Sequence, residues 1–145
     1  MERIILESIF LSTVIFLVLF YIKLFRKVIY FRGKEKIALG GGDAEQLIRA
    51  MRAHSNFNEN VPLGLVLSMF LYFHNYLILC CISIITLSIG RIFHAKGISD
   101  VNEKNTSYNL RRKGMKLTIY SHKISLLGIV YFLIQSVYFF ILNVK

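Results

Sequence analysis

The chain has 145 residues, 55% of them hydrophobic, with a formal charge of +10 and a mean hydropathy of +0.56. Soluble domains run at about 45–50% apolar; here the excess gathers in long runs, which excludes a soluble globular domain and points to a single integral membrane domain. The basic excess would suggest nucleic acid in a soluble protein, but here it lies between apolar spans, where it sets topology and attracts anionic headgroups or ligands.

The first span is expected over residues 4–25. Its apolar stretch, Ile4 to Ile22, is too long for the hydrophobic region of a signal peptide, and no small-residue cleavage site follows. At 1.5 Å per residue it crosses a ~30 Å hydrocarbon core. A basic loop follows with Lys23, Arg26, Lys27, Arg32, Lys34 and Lys36, then Gly40-Gly41-Gly42-Asp43. This glycine cluster lacks the spacing of a phosphate cradle. It reads as a flexible connection in which Asp43 is the N-cap of the next helix and Gln46 completes a capping-box-like pattern.

The second span, residues 44–73, is polar as far as Asn60 and apolar from Val61. Arg52, Asn56 and Glu59 fall at i, i+4 and i+7 and so share one helical face. Such a face at a membrane boundary is costly unless its groups pair or hold a ligand, and an ion pair of Glu59 with Arg52 or Arg91 is the simplest alternative to a ligand. Pro62 removes one backbone donor and predicts a loosening of the helix there.

After a short turn at His74-Asn75 the third span covers residues 76–94 and carries Cys80 and Cys81, adjacent apolar packing residues without metal-ligand spacing. Arg91 and His94 lie one turn apart at its end. A second basic segment holds Arg91, Lys96, Lys104, Arg111, Arg112, Lys113 and Lys116, with polar filler from Ser99 to Asn109. The fourth span, residues 116–142, carries His122 and Lys123 in its first turns and an aromatic girdle later. The expected fold is therefore all-α, a four-helix membrane bundle.

Apart from Arg3 and Lys145, every Lys and Arg lies in or beside the loops joining spans one to two and three to four. The positive-inside rule puts both loops in the cytoplasm and both termini outside. The Arg52 face, Arg91 with His94, and Arg111 with Arg112 then share one side and suit a small polyanionic ligand. No Ser- or Cys-His triad element is present, and His54 and His94 lack partners at metal-ligand spacing, so no metal is expected.

The stretch Arg52-Ala53-His54-Ser55-Asn56-Phe57-Asn58-Glu59-Asn60-Val61-Pro62-Leu63 resembles the signature of the MAPEG family, membrane-associated proteins in eicosanoid and glutathione metabolism. Gly90-Arg91-Ile92-Phe93-His94-Ala95-Lys96-Gly97 and Arg111-Arg112-Lys113-Gly114-Met115-Lys116-Leu117-Thr118 resemble two further blocks, and the short bacterial branch is nearest. The resemblance implies a homotrimer in the bacterial inner membrane with glutathione at subunit interfaces. It gives Arg52, Asn56 and Glu59 the role of holding glutathione, Arg91 and His94 that of second contacts, and Arg111 or Arg112 that of stabilising the thiolate, with Arg111 favoured for its position three residues before Gly114. The activity implied is that of a glutathione transferase or peroxidase acting on lipophilic small molecules from the bilayer lipids. A non-catalytic lipid-binding or scaffold protein of the same fold is the alternative, and a small transporter a third reading that no inverted repeat supports. Asn60 stands where leukotriene-synthase-like members have tyrosine, and Ile98 about where some have another, which detaches eicosanoid specificity from the resemblance.

Overall fold

Long runs of Leu, Ile, Val and Phe with few breakers favour helix, and in a bilayer only helices and closed barrels satisfy every backbone group. The computed structural model describes residues 1–143 and is all-helical among them. Helix α1 covers Glu2–Glu35, α2 Glu45–Phe73, α3 Leu77–Ser99 and α4 Asn109–Asn143, with a short 3-10 turn at Glu103–Thr106 before α4. Lys145, the exception at the C-terminus, lies outside the described residues.

The helices outrun their apolar stretches. Lys, Arg and Glu are good helix formers, so α1 continues to Glu35 and carries Lys23, Arg26, Lys27, Arg32 and Lys34 on the helix rather than in a loop. Its end is set by Lys36 in the left-handed conformation (φ 54°) and by the Arg32 guanidinium, which donates to the carbonyl of Ala38 at 2.7 Å. Likewise α3 reaches Ser99, and α4 starts at Asn109. Arg111 and Arg112 therefore stand in the first turn of α4, and His122 in its fourth. At 1.5 Å per residue α1 is about 50 Å long, so its basic end projects beyond a ~30 Å core.

One expectation at α2 needs correction. Its N-cap is Ala44, without a side-chain cap bond. A turn closed by Ala44 N–H donating to the Gly41 carbonyl at 3.2 Å places Asp43 one residue too early to cap. Also, only α1, α3 and α4 are long and apolar enough among the described residues to cross a membrane on their own. The apolar half of α2, Val61 to Phe73, amounts to about 20 Å at 1.5 Å per residue, and the helix runs unbroken through Pro62.

The central helix is α3, which packs on all three others. Membrane helices gain little from burying apolar surface against each other, so small residues and interhelical hydrogen bonds draw them together. Ser83 Oγ lies 2.6 Å from Ser125 Oγ and donates to the Ser121 carbonyl at 3.0 Å, all three serines buried. Closer to the basic end, a Cβ on Gly114 would come within 2.6 Å of the His94 amide nitrogen, and one on Gly97 within 2.8 Å of the Arg111 nitrogen. Backbone cannot yield as a flexible side chain can. Gly114→Ala is therefore expected to cost about 1–3 kcal/mol by overpacking, read as a lower melting temperature of the detergent-solubilised protein. Gly33→Ala, where a Cβ meets nothing within 4 Å, serves as the control without loss.

Cys80 and Cys81 are free and buried, their thiols donating to the Ser68 and Leu6 carbonyls at 3.2 Å each. Outward, α1 and α4 show long rows of exposed Ile, Leu, Val and Phe, the surface a bilayer or a neighbouring subunit would cover.

Candidate functional site

The close approach of α3 and α4 decides where the polar groups meet. With Gly97 against Arg111 and Gly114 against His94, the first turn of α4 is pressed onto the last turns of α3. The polar half of α2 packs beside them, and a cleft of about 580 Å³ opens where the three helix segments converge. That volume lies within the ~300–1,000 Å³ typical of small-molecule sites. Arg52, Asn56, Glu59, His94 and Arg111 line it, together with Glu45, Arg49, Ser55 and Glu103.

The helical face from Arg52 to Glu59 spans about 10 Å along α2 at 1.5 Å per residue. Arg52 and Glu59 are exposed into the cleft, and neither is in an ion pair among the described residues. The alternative pairing of Glu59 with Arg52 or Arg91 is thus not formed: one cation and one anion stand at the two ends of the face without each other.

Arg91 sits behind the cleft rather than in it. It is 2% exposed. Its guanidinium donates to the side-chain oxygen of Asn56, to the Asn56 carbonyl at 3.3 Å and to the Thr118 hydroxyl, and it lies 3.8 Å from the sulfur of Met115. With its oxygen taken by Arg91, Asn56 can offer its two amide N–H donors to the cleft. Arg91 therefore ties α3 to α2 and α4 and fixes an amide on the cleft wall.

The arginine doublet divides. Arg111 lines the cleft, and its guanidinium donates to Glu103 at 3.2 Å and stands 5.8 Å from the Tyr108 ring centre. Arg112 does not line the cleft but an adjoining depression, with His94, Tyr108, Arg111 and Met115. His122, in the fourth turn of α4, does not line the cleft. Its ring lies against α2, where Nε2 would be 3.3 Å from a Cβ on Gly64.

Glu103 falls in the stretch expected to be polar filler, yet it is 5% exposed. One carboxylate oxygen accepts from Arg49 at 2.8 Å and from Arg111 at 3.2 Å. Arg49 also pairs with Glu45 at 2.9 Å and donates to the Ile98 carbonyl at 3.0 Å, so it staples α2 to the end of α3. The overlooked signal was an acid inside a segment holding seven Lys and Arg, where an acid that is sequestered will find cationic partners.

A cleft at the basic end of a helical membrane bundle, with the R-x-x-x-N-x-x-E face on α2, can be set against known families. The model of the MAPEG family matches residues 10–138. The chain belongs to the MAPEG family. Membership places it among integral membrane proteins related to glutathione and eicosanoid metabolism. No curated protein and no solved structure matches the chain. The MAPEG match covers all four helices, α1 from Phe10 and α4 as far as Tyr138.

Proposed function

We propose that this MAPEG protein binds glutathione in the cleft and promotes its conjugation to, or its reduction of, lipophilic electrophiles held in the bilayer. The observation that carries this reading is that the Arg52, Asn56, Glu59 face and Arg111 line one cleft. The donor set fits a zwitterionic tripeptide: Arg52 faces a carboxylate, Glu59 an ammonium, and the amide of Asn56, oriented by Arg91, a backbone carbonyl. Charge-assisted contacts of this kind are roughly twice as strong as neutral ones. His94, 5% exposed on the wall, is a further contact.

Glutathione bound there supplies a sulfur nucleophile. Arg111 holds the sulfur in its ionised form, since a thiol is nucleophilic only as the thiolate. The proton leaves to water at the open mouth of the cleft. Exposed apolar rows on α1 and α4 give an electrophile dissolved in the membrane a path along the helices, and they are also the surface through which a homotrimer would form. The basic end is the cytoplasmic one by the positive-inside rule, with both termini outside, in a bacterial inner membrane.

Calorimetry on detergent-solubilised protein tests the reading. Wild type should bind glutathione below millimolar, while Arg52→Ala and Glu59→Gln each weaken binding by tenfold or more, about 1.4 kcal/mol. Heat-silent wild type at millimolar glutathione would refute it and favour the non-catalytic lipid-binding reading, which predicts uptake of a fatty-acid-like ligand without turnover.

A further inference from the structure

A second concavity, of about 610 Å³, lies between α1 and α3 at the same basic end and shares no residue with the glutathione cleft. Its mouth holds Lys23, Arg26 and Lys27 from α1 and Lys96 from α3; its floor is apolar. Lys23, Arg26 and Lys27 recur at i, i+3 and i+4, one face of the helix. No carboxylate lines the groove, and none of the four cations is in an ion pair among the described residues. Lys27 Nζ donates to Ser99 Oγ at 3.0 Å, which fixes one ammonium between the helices.

Four like charges gathered without an acid repel one another, and an anion relieves that repulsion. The floor says which kind. Below Ile92 the stripe of α3 continues as exposed Ile89 and Ile85, at i−3 and i−7. Exposed Ile82 and Ile78 extend the stripe further, and the other faces of α3 are largely buried, so the stripe is an apolar track of about 20 Å descending from the cationic mouth. An ion without an apolar tail would leave the track bare, and a choline headgroup would bring a fifth cation to the mouth. We infer that the α1–α3 groove binds one anionic phospholipid, its phosphate among Lys23, Arg26, Lys27 and Lys96 and an acyl chain over Ile92 and Ile89. Basic pockets between membrane helices are suited to such headgroups.

Native mass spectrometry of the full chain in neutral detergent, titrated with phosphatidylglycerol or with phosphatidylcholine of the same acyl chains, decides the matter. One phosphatidylglycerol per chain should be retained at a lipid concentration at least tenfold below that needed for phosphatidylcholine. Lys23→Gln with Lys96→Gln should bring the two lipids within about twofold, Lys23→Arg with Lys96→Arg should restore the preference, and Ile92→Trp, which keeps every charge and fills the floor, should weaken retention about tenfold. Lys34→Gln with Lys36→Gln removes the same charge outside the groove and should change nothing. Equal retention of the two lipids, an equal effect of the control pair, full displacement by millimolar inorganic phosphate, or a change in subunit number in place of lipid loss would each overturn the assignment; the last would mean that a second copy covers the groove.

Discussion

Replacing Arg111 by alanine should remove most of the ultraviolet thiolate absorbance of glutathione bound to the protein, while Arg112→Ala leaves it within about twofold. Only the first guanidinium lines the cleft; the second faces the adjoining depression. An ordinary thiol has a pKa near 8.5, and lowering it to ~6.5 takes roughly 2.7 kcal/mol of preferential stabilisation of the ionised form, within reach of one or two charge-assisted hydrogen bonds. At pH 7 those two values correspond to about 76% and about 3% thiolate, a fall of about 25-fold. Equal losses in the two variants would mean that the doublet acts through general charge and not through contact. Glu103→Gln is the companion measurement. Glu103 shares one carboxylate oxygen between Arg49 and Arg111, and so competes with a bound anion for the Arg111 guanidinium. Arg49 keeps Glu45 when Glu103 is neutralised, and Arg111, whose side chain is 40% exposed, keeps water. The substitution should therefore raise the thiolate fraction at a given pH, with a modest loss of thermal stability.

What could be read from sequence followed from what a single helix determines. The apolar runs gave the number and order of the helices, and the 3.6-residue period gave the Arg52, Asn56 and Glu59 face, because both are properties of residues near in sequence. The ends were misjudged wherever hydropathy stopped before helicity did. The charged turns from Lys23 to Lys34, Lys96 and Arg111 stay helical, since a charged residue leaves the hydrocarbon without leaving the helix. The interhelical contacts were out of reach. Arg91 meets Asn56 across 35 positions of chain and Thr118 across 27, and nothing in either segment says that Arg91 points inward. Glu103 was hidden for a related reason: a polar loop residue shows no periodicity, and its burial depends on Gly97 and Gly114 bringing α4 against α3. Arg111 and Arg112 were adjacent alternatives in the sequence and became distinguishable only once α4 was seen to begin at Asn109, since successive residues on a helix point about 100° apart.

The largest effect on the fold is expected at Arg91, and two substitutions there separate its structural from its positioning role. Arg91→Ala removes a large side chain that is almost wholly enclosed, leaving a cavity and stripping Asn56 and Thr118 of a shared donor. Large-to-small changes of this kind cost about 2–5 kcal/mol, and an abandoned polar partner adds about 1–3 kcal/mol; the solubilised protein should melt well below wild type and bind no glutathione. Arg91→Met fills most of the same space with an apolar chain, so it avoids the cavity and keeps only the cost of the hydrogen bonds lost to Asn56 and Thr118, about 1–3 kcal/mol. Its melting temperature should fall clearly less than that of Arg91→Ala. Glutathione affinity should still fall about tenfold or more, because the Asn56 amide, no longer held through its oxygen by the Arg91 guanidinium, can turn its acceptor toward the ligand. A stable Arg91→Met variant with wild-type affinity would show that Asn56 presents its amide without Arg91, and that Arg91 serves only to bind α2, α3 and α4 together.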